Sequence, residues 1–234
     1  MSAPGAAGGG RPLRTRATAW IQSGIAATLP WLIRRALRRG LSGVWARGQI
    51  AAVRPGTMLA ANHHAWWDAY LAWLVARRLK LPLAALMSDE QLARFPFFAA
   101  HGAIPRGRPR ELVRRLEDGA LGIVFPEGEL RPAGAPGVLA PGAARLAAMA
   151  GAPLRPLAVR VVLRGAQHPE AYLSFGPVVA DHAELDVALR RELAALDRLL
   201  AETDPETVPA GFERWVAGAR SPDRRARRFE RWWR

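Results

Sequence analysis

Alternation is the feature that most constrains this chain. Short apolar runs of strand length are separated repeatedly by stretches with helical spacing. "GTMLAAN" (56–62) leads into "WWDAYLAWLVARRL" (66–79), then "LPLAALM" (81–87), "PRELVRRLEDG" (109–119) and "LGIVFPEG" (121–128). "PGAARLAAMAGAP", "RPLAVRVVLRG", "EAYLSFGPVV" and the long amphipathic "ELDVALRRELAALDRLLAE" follow. Strands that are apolar on both faces must be covered on both, and helices between successive strands do this best in a parallel sheet. The pattern predicts a single α/β domain, with a largely parallel sheet flanked by helices. A length of 234 residues fits one such domain.

The ends read differently from the middle. Residues 1–16 are mostly Gly, Ala, Pro and Arg, a composition expected of a disordered start. Residues 17–44 form an amphipathic, membrane-associating helical segment by this reading. The apolar run from Ala17 to Ile33 is broken by Gln22, Ser23, Thr28 and Pro30, too polar for a bilayer span. Two short helices broken near Pro30 are expected. Trp20, Ile25, Leu29 and Trp31, followed by Arg34, Arg35, Arg38 and Arg39, have the pattern of an interfacial anchor. Residues 45–205 hold the alternating pattern. Residues 206–234 are a basic aromatic tail ending in "SPDRRARRFERWWR", with Phe229, Trp232 and Trp233 on neighbouring helical positions.

Charge and composition narrow the function classes. The formal charge is +14, and Lys80 is the one lysine. Arginine in place of lysine also follows from a GC-rich genome, but a surface of this sign attracts anions whatever its origin. The main alternative class is a nucleic-acid-binding protein. No helix-turn-helix, zinc-finger or RNP-type signature supports it, so an anionic membrane surface, and not nucleic acid, is the expected partner. The chain has no cysteine, which removes disulfides, thiolate metal sites and a cysteine nucleophile. It has no GxSxG elbow, no P-loop and no GxGxxG after a strand. Any reaction is therefore expected to use a general base acting on a substrate's own nucleophile.

In an open parallel sheet, ligands bind beyond the carboxyl ends of the strands. Three unusual stretches fall there: "NHHAWWD", "GAIPRGR" and "FPEGELR". A histidine held by an aspartate can take a proton from a hydroxyl, because the carboxylate fixes the tautomer and stabilises the cation formed. His64 and Asp68 are four apart and share a face on a regular helix. His63, on the loop, can also turn back over the first helical turn to meet Asp68. Spacing alone does not choose between them. Adjacent histidines seldom face one ion, so no metal is expected.

The order of "NHHAWWD", "GAIPRG", "FPEGELR" and "GAPLRPLAV" resembles the glycerolipid acyltransferases of the PlsC type, which include the 1-acylglycerol-3-phosphate acyltransferases. The resemblance runs roughly from Gly48 to Val179 and makes residues 45–205 an acyltransferase domain. It implies that His63, directly after Asn62, is the base, that Asp68 is its partner and that His64 is a variable position. It implies that Gly102, Ile104 and Arg106 form a second motif whose arginine meets the acceptor's phosphate. Phe125, Pro126, Glu127 and Gly128 would shape the acceptor pocket, with Arg131 assisting, and Pro153 and Pro156 would lie on the acyl-donor side. The implied reaction moves a fatty acyl group from acyl-CoA or acyl-carrier protein to a lipid hydroxyl, with lysophosphatidic acid as the leading acceptor and no cofactor. Two positions depart from the pattern. Ala65 stands where the family often has serine. After Gly128 come Glu129, Leu130 and Arg131 in place of Thr-Arg-Ser, so the arginine is displaced by one residue and an acid is added. That departure raises an uncharged acceptor, such as a glycolipid or glycosylated terpenoid, as the alternative.

The arginine-flanked, interrupted N-terminal run predicts a protein held peripherally on the cytoplasmic face of a membrane. High salt or carbonate should release the full-length chain from membranes into the supernatant. Retention through both washes would instead mark a spanning segment.

Overall fold

The computed structural model describes residues 12–220. The chain runs α1 (Pro12–Gly40), β1 (Gly43–Gly48), β2 (Met58–Ala61), α2 (Asp68–Leu79), β3 (Leu83–Met87), α3 (Asp89–Arg94) and β4 (Ala103–Pro105). It continues through α4 (Pro109–Glu117), β5 (Leu121–Val124), α5 (Gly142–Met149), β6 (Leu154–Val162), β7 (Glu170–Phe175), α6 (His182–Glu202) and β8 (Glu213–Ala217). The eight strands form one sheet in the order β4-β3-β5-β2-β6-β7-β1-β8. β4, β3, β5, β2 and β6 are mutually parallel. β7 runs antiparallel to β6, β1 parallel to β7, and β8 antiparallel to β1. The expected α/β architecture is therefore present, with antiparallel pairing confined to one side of the sheet.

Alternation along each strand divides the core into two layers. On β2, Leu59 and Ala61 face α1 and α2, whereas Met58 and Ala60 face α4, α5 and α6. The helices show the matching stripes. α4 starts with Pro at its first turn, where the missing N–H is no loss, and buries Leu112, Val113 and Leu116. α6 is capped by Asp181, whose carboxylate accepts from Glu184 N at 2.9 Å, and buries Leu185, Ala188, Leu189, Leu193 and Leu196.

Several expectations need correction at the ends. α1 is one helix through Pro30, not two. Its second half is fixed by burial of Leu29, Ile33 and Leu37, which offsets the cost of about 3 kcal/mol that an interior proline brings. That half belongs to the core and is not a detachable anchor; only its outer side, with Trp31 and Leu32 exposed, is free. α1 also begins at Pro12, inside the stretch 1–16 expected to be disordered, and β1 straddles the expected boundary at residue 45. The expected tail 206–234 contains β8, a paired strand of the sheet. Residues 1–11 and the segment "SPDRRARRFERWWR" lie outside the described residues. β1, β4 and β8 escape a reading by periodicity because they are short or sit near the sheet's edges, where one side carries polar residues. Among the described residues no helix is long and apolar enough to cross a membrane.

Leu37→Ala separates a core helix from a loosely attached one. With Leu37 only 1% exposed, the variant should lose roughly 2–5 kcal/mol of unfolding free energy in denaturant titration. A loss under about 0.5 kcal/mol, the range of ordinary surface positions, would mean that α1 contributes little to the fold.

Candidate active site

The parallel strands β4, β3, β5 and β2 bring their carboxyl ends to one edge of the sheet, and the predicted motifs leave from there. β2 and β5 are neighbours, so the loop carrying His63 lies beside the loop carrying Glu127. His63 N donates to Glu127 Oε1 at 2.9 Å, and Arg131 N donates to the His63 carbonyl at 2.8 Å. Two residues 64 and 68 positions downstream thus hold both ends of the His63 peptide unit.

The His63 ring is placed from three sides. Its Nδ1 lies 2.8 Å from Asp68 Oδ2, and an imidazole nitrogen facing a carboxylate at that distance is the donor. That puts the neutral ring's lone pair on Nε2. Phe125 stacks on the ring with centroids 4.4 Å apart. The His63 side chain keeps 27% of its exposure while Asp68 has none, so the imidazole faces an open site and the carboxylate is closed off from water. Asp68 Oδ2 also accepts from His64 N at 2.8 Å and Ala65 N at 2.9 Å. Those two bonds fold the loop back over the first turn of α2, and Asp68 sits at the helix N-terminus, where the dipole favours negative charge.

His64 is used differently. β2 ends at Ala61, but its neighbour β6 runs on to Val162, leaving β6 backbone groups without a strand partner. Side chains take over. Asn62 Oδ1 accepts from Val159 N at 2.8 Å and its Nδ2 donates to Val159 O at 3.1 Å, while His64 Nε2 accepts from Val161 N at 3.0 Å. Asn62 and His64 therefore extend the ladder that β2 stops supplying. His64 is 4% exposed, and burial holds its imidazole below the ordinary value of 6.5, with Arg160 and His63 adding to that and Asp68 opposing it. Its acceptor nitrogen is occupied, so it is not placed to take a proton from a substrate.

The remaining predicted residues divide into supports and exposed cations. Gly102 has φ +97°, and a Cβ there would run into the Leu83 carbonyl oxygen, so the position requires glycine. Ile104 is fully buried on β4. Together they fix the strand that delivers Arg106, whose side chain is exposed and makes no ion pair among the described residues. Glu127 has both oxygens committed, Oε1 to His63 N and Oε2 to Gly137 N at 2.9 Å, so it acts as a clamp between loops. Gly128 has φ +74°, which turns the chain sharply after it. Arg131 is 45% exposed and pairs with Glu129 at 2.6 Å. The N–H groups of His63, His64, Ala65, Gly128, Arg131 and Gly137 all bond within the protein, which removes them as donors to a developing oxyanion.

Sequence reasoning missed Asn62 as a strand extender and two arginines that tether the loop after Gly128. Arg160 is bidentate to Asp197, at 2.5 and 2.8 Å, and donates to the Gly134 carbonyl at 2.6 Å. Arg190 is bidentate to Asp186 and donates to the carbonyls of Pro136 and Gly137, each at 2.9 Å. The i, i+4 spacing of Asp186 and Arg190 was legible in sequence. The carbonyls 53 and 54 residues away were not. Phe97 and Phe98, next to the second motif, pack against the core layer that contains α1 and α2.

The two histidines should part company under mutation. His63→Ala should lower turnover on the order of a hundredfold or more, the loss expected of a general base. His64→Ala should leave most of the activity and cost about 1–3 kcal/mol, because the part-buried Val161 N–H loses its acceptor. The pH dependence gives a second readout. The His64 ring binds its proton more weakly in the folded chain than in the unfolded one, so its contribution is full above about pH 6.5 and is lost as the pH falls below it. Unfolding titrations between pH 7.5 and 5 should show this slope in the native chain and a reduced one in His64→Gln. Equal activity losses in the two alanine variants, with both folded, would reject the division of roles.

Three comparisons bear on what this site belongs to. Residues 47–160 match the model of the family described as Acyltransferase, a span that includes every motif residue described above. A search of curated proteins by sequence found no match. Among solved structures, the fold is similar to the crystal structure of the 1-acyl-sn-glycerophosphate (LPA) acyltransferase PlsC from Thermotoga maritima. That likeness has a TM-score of 0.55 and 18% sequence identity, and covers 81% of this chain and 84% of that one. Residues 47–160 thus match the Acyltransferase family across the histidine–aspartate pair, and the fold surrounding that pair is like that of PlsC.

Proposed function

We propose that the enzyme moves a fatty acyl group from an acyl thioester, acyl-CoA or acyl-carrier protein, to the free hydroxyl of lysophosphatidic acid, giving phosphatidic acid. The observation that carries the reading is the ring orientation of His63: Nδ1 is tied to buried Asp68 and Nε2 is left to face the open edge of the sheet. The acceptor hydroxyl gives its proton to Nε2 as its oxygen attacks the thioester carbonyl. The tetrahedral intermediate then expels the thiolate, which takes the proton back from the imidazolium, and ester and thiol leave. Asp68 stabilises the imidazolium between the two steps. No covalent bond to the protein is needed, in keeping with the absence of an activated serine or any cysteine.

Arg106, exposed and without a carboxylate partner among the described residues, is the group best suited to the acceptor's phosphate. A charge-assisted hydrogen bond to a phosphate oxygen is stronger than one between neutral groups and would orient the glycerol hydroxyl toward His63. The location proposed for this chemistry is the cytoplasmic face of a membrane, with the protein bound peripherally to an anionic surface. Its support is the excess of arginine and the exposed Trp31 and Leu32 on α1.

A second reading has one observation in its favour. The displaced arginine of the third motif is neutralised: Arg131 pairs with Glu129 and is not free for a phosphate. An uncharged acceptor, such as a glycolipid alcohol, would suit that arrangement. Purified protein incubated with labelled acyl-CoA and a panel of lipid acceptors separates the two. Under the first reading lysophosphatidic acid is the best acceptor, and Arg106→Ala raises its apparent KM at least about tenfold, the scale of one charge-assisted bond, with the KM for the acyl donor little changed. Preference of the native enzyme for an uncharged glycolipid alcohol would reject the phosphate assignment and leave the His63–Asp68 chemistry in place.

A further inference from the structure

A second charged feature lies away from the catalytic edge. An open groove of about 410 Å³ runs between the second half of α1, the second half of α2 and the edge strand β8. Arg34 and Arg38 line it from α1, Arg77 and Arg78 from α2, and the floor includes Trp73 and Trp215. No acidic residue lines it, and none of the four arginines forms an ion pair among the described residues. Four like charges drawn into one groove repel one another. Three of them are held there over indole faces: Arg34 and Arg77 lie 5.8 and 5.9 Å from the Trp73 ring, and Arg78 lies 6.0 Å from that of Trp215. Both indoles are largely buried, at 5% and 8% exposure. The arrangement is a set of guanidinium forks around an apolar floor, which fits a ligand with a phosphate at one end and hydrocarbon at the other.

The helix that supplies two of these arginines indicates where such a ligand comes from. On α1, Trp31, Arg34, Arg35 and Arg38 follow at intervals of three, four and seven, so they share the outward side, opposite buried Leu29, Ile33 and Leu37. Trp31 is 59% exposed and Arg35 lies 5.2 Å from its ring. An exposed indole one turn from unpaired guanidinium groups is the pattern of a surface at the water–lipid boundary, with the ring at headgroup level and the cations on phosphates. A free nucleotide or inorganic phosphate would need neither the exposed indole nor the apolar floor.

We propose that the groove between α1, α2 and β8 binds the headgroup of an anionic glycerophospholipid of the membrane on which the enzyme acts, at a site separate from His63. The phosphate sits among Arg34, Arg38, Arg77 and Arg78, and the proximal hydrocarbon lies over Trp73 and Trp215. The inference rests on the membrane-surface location proposed above, and the test distinguishes the two.

The test is co-sedimentation of the full-length chain with vesicles of phosphatidylcholine alone and of phosphatidylcholine with phosphatidic acid, at fixed ionic strength. A groove variant carries Arg34→Gln, Arg38→Gln, Arg77→Gln and Arg78→Gln. A control variant loses the same charge from the opposite face of the sheet, through Arg110→Gln, Arg114→Gln, Arg145→Gln and Arg198→Gln, all exposed and unpaired among the described residues. The native chain should prefer the anionic vesicles. The groove variant should lose that preference at least about tenfold, as expected when several cations leave an anionic surface, and the control should retain most of it. Equal losses in both variants would show diffuse charge attraction and overturn the site. No binding of the native chain to any vesicle would overturn both the site and the membrane location. Displacement of the native chain by equimolar inorganic phosphate or CoA would overturn the lipid assignment. Thermal melts of both variants establish that each is folded, and a soluble short-chain phosphatidic acid titrated by calorimetry gives the same comparison without vesicles.

Discussion

One oxygen atom organises the catalytic edge. Asp68 Oδ2 receives a ring N–H from His63 and backbone N–H groups from His64 and Ala65, within 2.8–2.9 Å in each case. The loop between β2 and α2 can take only one path if all three donors are to converge there. Because the carboxylate is buried, water cannot substitute for any of them, and releasing one leaves a polar group in a dry place. The same contacts that shape the loop therefore fix the tautomer of His63, so local folding and the orientation of the imidazole depend on a single group.

The surrounding loops are held by polar clamps, with Leu139 as a buried apolar anchor. Glu127 joins the His63 peptide to Gly137, while Arg160 and Arg190 reach from β6 and α6 to the carbonyls of Gly134, Pro136 and Gly137. From Gly128 to Ala140 one large apolar side chain, Leu139, is buried, whereas Leu130 and Val138 are exposed. Hydrogen bonds to charged groups contribute more than neutral ones, and each guanidinium here carries its own aspartate, so the charge is balanced before it meets the loop. A loop fixed in this way can be rebuilt residue by residue, which is how the Glu129–Arg131 pair is accommodated without disturbing the contact between Arg131 N and the His63 carbonyl.

The excess of positive charge is unevenly used. Arg155, Arg160 and Arg164 are drawn into the fold, where carbonyls and carboxylates receive them. Among the described residues, Arg34 and Arg35 of α1 and Arg77 and Arg78 of α2 form no ion pair and lie near aromatic rings. Composition counts all of them alike. Only their surroundings separate structural cations from cations available to a ligand.

Much of this was legible in the sequence. The α/β class followed from periodicity, because spacing of two in strands and three to four in helices is written locally in the order of apolar residues. The motif order implied the family, and the loops at the carboxyl ends of β2 and β5 were placed by the parallel alternation. What periodicity could not decide was every relation between residues distant in the chain. The roles of His63 and His64 differ because β6, 97 residues further on, offers an N–H to one and nothing to the other. Glu127 is a clamp because β5 lies beside β2. α1 is part of the core because Ile33 and Leu37 meet a sheet face that does not exist until the strands are ordered. The sequence by itself determined which elements form and which side chains they carry; the tertiary structure decided which of those side chains meet, because hydrogen-bond partners and buried surfaces are set by strand order and not by position along the chain.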